Sequence, residues 1–127
     1  MANVSPDESI ARMLCFSKWF TESTKRVGAA AFVPHPHVAL SVTCIEGVPE
    51  NEIWESGRIA MSKRFGEPKL YGRADVKAQV VYGQELSIDR DDNPLYHANI
   101  KGWREDKAVQ LAKAQEIARS ALLRMMP

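Results

Sequence analysis

The sequence predicts an α+β domain: a mostly antiparallel sheet of about four to five strands, with helices over about 49–65 and 105–125 packed on one face. Three observations lead there. Val38, Leu40, Val42 and Cys44 alternate with Ala39, Ser41, Thr43 and Ile45, the period of a strand with one face inward. Ile53, Trp54, Gly57, Ala60 and Met61 then recur at helical spacing. The onward order of three strand-like tracts and a long helical one favours an antiparallel or mixed sheet.

Ser5-Pro6-Asp7-Glu8 has the form of a helix start, and Ile10, Met13 and Leu14 continue as a short helical stripe. From Leu14 to Phe20 the pattern also suits a strand, with Arg12, Leu14, Phe16, Lys18 and Phe20 on one side. Thr21 to Val27 is polar and reads as a turn. Pro34-His35-Pro36-His37 lacks two backbone donors and reads as a loop or sheet edge. Pro49 opens the first long helix, Lys63 and Arg64 complement its C-terminal dipole, and Gly66 ends it.

Ala74 to Tyr82 reads as a second strand, Glu85 to Asp89 as a third and Tyr96 to Ile100 as a fourth, with a turn at Asp91-Asp92-Asn93-Pro94. In the last helix Ala108, Leu111, Ala112, Gln115, Ala118, Leu122 and Met125 form the expected inward stripe.

A chain of 127 residues is expected to form one domain, 1–127, with a flexible segment at about 1–5. Hydrophobic residues make up 45% and charged residues 26%, a globular rather than disordered balance. Seventeen Lys and Arg against 16 Asp and Glu leave a formal charge of +1, without the positive surplus that drives phosphate-backbone binding. No signal-peptide pattern or membrane-length apolar run is present, so a cytoplasmic location without membrane attachment is expected. Cys15 and Cys44 then read as reduced, partly buried thiols.

Several side chains bear chemistry, and each has a structural reading beside the functional one. His35 and His37 point to one side of an extended chain, but they supply only half of a zinc pattern, so no metal and no cofactor is expected. Asp89 to Asn93 lacks the central Gly and final Glu of a calcium loop, and a hairpin turn explains it. Arg73 and Asp75 share a strand face, where Arg73 offers a planar fork to phosphate or carboxylate, or ties a loop to the sheet through Asp75. His97 and Asn99 share another face just before a helix start, and Trp103 and Lys107 follow. His97 as acid or base, Asn99 as orienter and Arg73 or Lys107 as anion clamp would suit a phosphoester. The structural alternative has His97 and Asn99 bonding backbone while Asp106 caps the helix.

Three stretches together, Ala31-Phe32-Val33-Pro34 running to Leu40-Ser41-Val42, Tyr71-Gly72-Arg73-Ala74-Asp75, and His97-Ala98-Asn99-Ile100 with Gly102-Trp103 and Asp106-Lys107, resemble a pattern in small uncharacterised bacterial α+β proteins. The resemblance implies a bacterial or phage origin and one domain; it implies no activity.

Two functions are expected from these observations. The first is a non-catalytic binding module for a protein partner or a second copy of the chain, engaging it through a sheet face or the Pro-stiffened loop, with Trp19, Trp54 and Trp103 as core or interface anchors. The binding candidates are Arg73, Asp75, His35, His37, Trp103 and Lys107. The second is a small metal-independent enzyme acting on a phosphoester, in the manner of a nuclease or phosphodiesterase, with His97, Asn99 and Arg73 as catalytic residues.

Overall fold

The computed structural model describes residues 4–34 and 39–127. Strand β1 (Ser9–Leu14) is central. It pairs antiparallel with β4 (Leu40–Cys44) on one side and β5 (Gly72–Lys77) on the other. β6 (Ser87–Arg90) and β7 (His97–Lys101) extend the sheet beyond β4, and β8 (Leu122–Met125) closes the far edge, giving the order β6-β7-β4-β1-β5-β8. All neighbours run antiparallel, so the α+β expectation holds, with six strands rather than four to five. A separate hairpin joins β2 (Phe20–Thr21) to β3 (Arg26–Val27), between 3-10 helices at Ser17–Trp19 and Ala29–Phe32.

The helices do not share a face. Helix α1 (Glu50–Phe65) packs Ile53, Trp54, Ala60 and Met61 against Ala11, Met13 and Cys15. Helices α2 (Ala78–Tyr82) and α3 (Lys107–Arg119) lie on the opposite face, where Ala78, Val81, Ala114 and Ile117 join Ile10, Leu14, Leu40, Val42 and Ile100. The physical reason lies in β1. Ile10 through Cys15 are all buried, so both faces of the central strand need an apolar cover. A sheet covered on one side only would leave Ala11 and Met13 in water.

Other expectations change for related reasons. The tract from Ser5 to Leu14 is a turn followed by a strand. Glu8 does bond back to the Ser5 N–H at 2.6 Å, but the chain then extends into the sheet instead of coiling. Ala74 to Tyr82 is half strand and half helix: β5 ends at Lys77, and Ala78–Tyr82 coil into α2. The last helix stops at Arg119, and Leu122–Met125 form β8, because the free edge of β5 offers a full set of backbone partners. Its buried face is Gln110, Ala114, Ile117 and Ala118, whereas Leu111 is 44% exposed.

The two long-helix termini are set locally. Gly66, at φ +80°, ends α1 and donates its N–H to Ser62 O, and Asp106 caps α3 by accepting from the N–H groups of Ala108 and Val109 at 2.8 and 3.2 Å. Of the segment expected to be flexible, 1–5, Val4 is a core residue and Ser5 is held by Glu8; residues 1–3 lie outside the described set.

Gly72 lies where β5 meets β8, and a Cβ there would stand 2.5 Å from the Arg124 carbonyl oxygen. The obstacle is backbone, so it cannot rotate aside. Gly72→Ala is expected to lower stability by about 1–3 kcal/mol, the usual cost of overpacking, and to speed amide exchange in residues 122–125. Urea unfolding with hydrogen-exchange mass spectrometry would measure both.

Candidate functional site

The α1-facing side of the sheet carries the polar residues that the sequence singles out. The strand register places Asp75, Ala11, Thr43 and His97 in one row across β5, β1, β4 and β7. Three strand spacings separate Asp75 from His97, about 14 Å at ~4.8 Å each. Arg73 lies two residues from Asp75 on the same strand and face. Arg73 and His97 are therefore on one side of the sheet but not in one site, and α1 lies over the space between them.

Arg73 is 2% exposed and fully engaged. Its Nε donates to Asp75 Oδ1 at 2.9 Å, and its two terminal nitrogens make a bidentate pair with Glu50 at 3.0 and 2.9 Å. Its guanidinium also stacks over the Trp54 ring at 4.8 Å. Asp75 accepts a further bond from Arg124 Nε at 3.0 Å. Burial opposes the charge on Arg73, but the bonds to Glu50 and Asp75 outweigh it and raise the guanidinium above its ordinary value. Glu50 is held below the usual carboxylate range, chiefly by its bond to Arg73. The cluster fastens the start of α1 to β5 and leaves no fork open to a ligand.

His97 is bonded at both ring nitrogens. Nδ1 is 2.7 Å from Asp91 Oδ1, and Nε2 is 2.7 Å from Ser41 Oγ. An ionised carboxylate only accepts, so Nδ1 carries a proton; in the neutral ring Nε2 then accepts the Ser41 hydroxyl. Burial works against the Asp91 charge, but bonds from His97 and from the Asn93 N–H lower its pKa overall. Asn99 Nδ2 reaches Asp91 Oδ2 at 3.4 Å. The result is a chain of hydrogen bonds linking β4, β7 and the turn between β6 and β7. It borders a shallow cavity of about 240 Å³, with Lys63, Arg64 and Asn93 around the rim.

Connectivity of this kind, hydroxyl to imidazole to carboxylate, is that of a nucleophile, base and orienter. The setting differs. Ser41 is 3% exposed and belongs to β4, an interior strand paired on both sides. Backbone N–H groups of an interior strand lie in the sheet plane and are taken by their neighbours. An oxyanion hole needs such groups aimed at the reacting oxygen.

Trp103 is a core residue whose Nε1 donates to Ile100 O at 3.0 Å, and Lys107 is exposed at the start of α3. Trp19 and Trp54 are buried as well. His35 and His37 lie outside the described residues, and so does Val38 from the strand pattern. Among the described residues there is no cluster of three or more His, Cys, Asp or Glu able to hold a metal ion. Among them too, no helix is long and apolar enough to cross a membrane.

A second concavity was not foreseen from the sequence. It opens where the ends of β1 and β4 meet the 3-10 helix Ser17–Trp19 and the last turn of α1, and its volume is about 430 Å³. Phe16, Trp19 and Phe65 form its aromatic wall, with ring centroids 4.8 Å apart for the first two and 5.4 Å for Phe16 and Phe65. Arg12, Lys18 and Arg64 also line it, and among the described residues no acidic one does. Arg12 is 5% exposed; it donates from Nε to Ala31 O at 2.8 Å and from Nη1 to Ser41 O at 2.9 Å, with Trp19 under its guanidinium at 5.0 Å. The one available signal was an arginine in the middle of an otherwise apolar run, Ile10 to Leu14.

Comparison with known protein families, with curated proteins and with solved structures returns no match. The functional reading therefore rests on this geometry.

Removing either anchor should show what it holds. Arg73→Met returns Glu50 to water and leaves the largely buried Asp75 with Arg124 as its partner, and is expected to cost about 1–3 kcal/mol in urea unfolding. The depressed pKa of Asp91 sets a pH dependence. Its charge stabilises the fold above the unfolded carboxylate value near ~4, and that contribution fades as pH falls through the lower folded value. The stability advantage of the native chain over Asp91→Asn should therefore shrink as pH falls from 5 towards 3 in urea unfolding.

Proposed function

We propose that the chain is a non-catalytic binding module whose ligand seats in the aromatic and cationic cleft beside Trp19. Arg12 is the observation that carries this reading. Among the described residues, this guanidinium sunk in the protein meets only neutral carbonyl acceptors and a ring face, and it borders an open concavity. Buried charges ordinarily have a charged partner. Ligand sites of small molecules are concave, mostly apolar, a few hundred Å³ in volume, and carry a small number of placed polar groups. The cleft has each of these features.

A small molecule fits the reading better than the protein partner or second copy expected from sequence. Helices cover both faces of the sheet, which removes the bare sheet face as a docking surface. The expected anchors Trp54 and Trp103 are sunk in the core.

One observation favours a second reading, an enzyme centred on His97. The two 2.7 Å contacts would let His97 take the proton of Ser41 as that hydroxyl attacks a phosphoester or ester. Arg73 takes no part in it, being committed to Glu50 and Asp75. The burial of Ser41 and its place in an interior strand argue for a hydrogen-bonded clasp instead.

A serine-directed fluorophosphonate separates the two. Intact-mass analysis of the treated chain should show no adduct, and a panel of phosphodiesters should be turned over no faster than by buffer. A stoichiometric adduct on Ser41 that is lost in His97→Ala would overturn the binding-module reading.

A further inference from the structure

The cleft beside Trp19 has a chemistry specific enough to name its ligand class. We infer that it binds an anionic oxygen group, a carboxylate or phosphate, carried on a flat aromatic body, with Arg12 as the principal partner of the anion. The inference rests on the binding-module reading and deepens it.

The anion is argued from charge and hydrogen-bond supply. Arg12 has five N–H donors in a planar fork. Nε and Nη1 serve the carbonyls of Ala31 and Ser41, and among the described residues no acceptor is found for Nη2 and no carboxylate pairs with Arg12. Lys18 is exposed on the rim, and among the described residues the lining has no acid to offset it. A concavity with low-dielectric walls and charges of one sign concentrates its field on an incoming counter-ion. Burial, with the neighbouring charge of Arg64 adding to it, lowers the Arg12 pKa to about 10. A bound anion would reverse that direction by favouring the charged guanidinium.

The flat body is argued from the walls. Phe16 meets Trp19 at a 57° tilt and Phe65 nearly edge-on at 89°, so two sides of the Phe16 ring are already fixed by neighbours. Phe16 is nevertheless 38% exposed, unusual for a ring inside an aromatic cluster. Aromatic groups prefer such offset or edge contacts, and a third planar group would complete the set. The volume of about 430 Å³ admits one or two fused rings with their anionic group.

The test is isothermal titration of the full chain at pH 7 with 2-naphthoate, 2-naphthyl phosphate and the neutral 2-naphthylmethanol. At least one anion should bind ten-fold or more tightly than the alcohol, and the stronger of the two identifies carboxylate or phosphate as the natural group. Arg12→Gln should erase that ten-fold preference. Because Arg12 also braces the fold, Lys18→Glu serves as a second variant: it reverses an exposed charge and should weaken both anions about three-fold or more without changing affinity for the alcohol. Phe16→Ala should weaken all three compounds alike. If the alcohol binds as well as the anions, the anion inference fails while the cleft remains a binding site. If none of the three binds at millimolar concentration, the inference and the cleft as the ligand site fall together.

Discussion

Strand β1 is hydrogen-bonded to β4 on one side and β5 on the other, and its side chains are buried both above and below the sheet. That double burial governs the architecture. Ile10 and Leu14 call for the cover supplied by α2, α3 and the 3-10 helix Ala29–Phe32, while Ala11 and Met13 call for α1. The helices are driven apart by the strand they protect. The same strand explains the two polar exceptions in the interior. Arg12 can be carried inside only because backbone carbonyls of Ala31 and Ser41 reach it, and the row through Ala11 sets how far Asp75 stands from His97.

The polar residues of the α1 face then divide into two fastenings of different kinds. Around Arg73 the fastening is ionic: a fully desolvated guanidinium is shared between Asp75 and the first residue of α1. Around His97 it is a relay of hydrogen bonds that ties the β6–β7 turn to the interior strand β4. In each, the charged or titratable group at the centre is bonded to partners within the fold. The cleft beside Trp19 differs: its Arg12 guanidinium is held by backbone carbonyls and a ring face, and its Phe16 ring is partly open to solvent.

How legible each part was in the sequence follows from what surrounds it. Helix α1 could be placed because Pro49, Gly66 and the stripe from Ile53 to Met61 are local signals. Strand β7 could be placed because His97 and Asn99 face one way and Ala98 and Ile100 the other. Strand β1 could not, since a strand buried on both faces has no alternation to display, and Ile10, Met13 and Leu14 mimic a helical stripe. Strand β8 was hidden by phase: Leu122 and Met125 continue the spacing of Ala118, and only the free edge of β5 diverts them. At the candidate sites the sequence pointed to His97, but its partners Ser41 and Asp91 arrive from separate strands and turns, which no local spacing reveals. Arg12 gave no local signal for the same reason: the carbonyls of Ala31 and Ser41 and the Trp19 ring reach it from distant parts of the chain.

The position of β1 in the middle of the sheet also has a kinetic side. The strand forms no hairpin with its neighbour in the chain; Ser9 pairs with Lys77, and Ile10 with Cys44. The nucleus of the sheet must therefore close long loops before any of its apolar surface is repaid, a loss of chain entropy that local helices cannot offset. A fold wired in this way belongs with slow two-state β-rich domains, which reach the native state in milliseconds to seconds, rather than with helical bundles that collapse in microseconds.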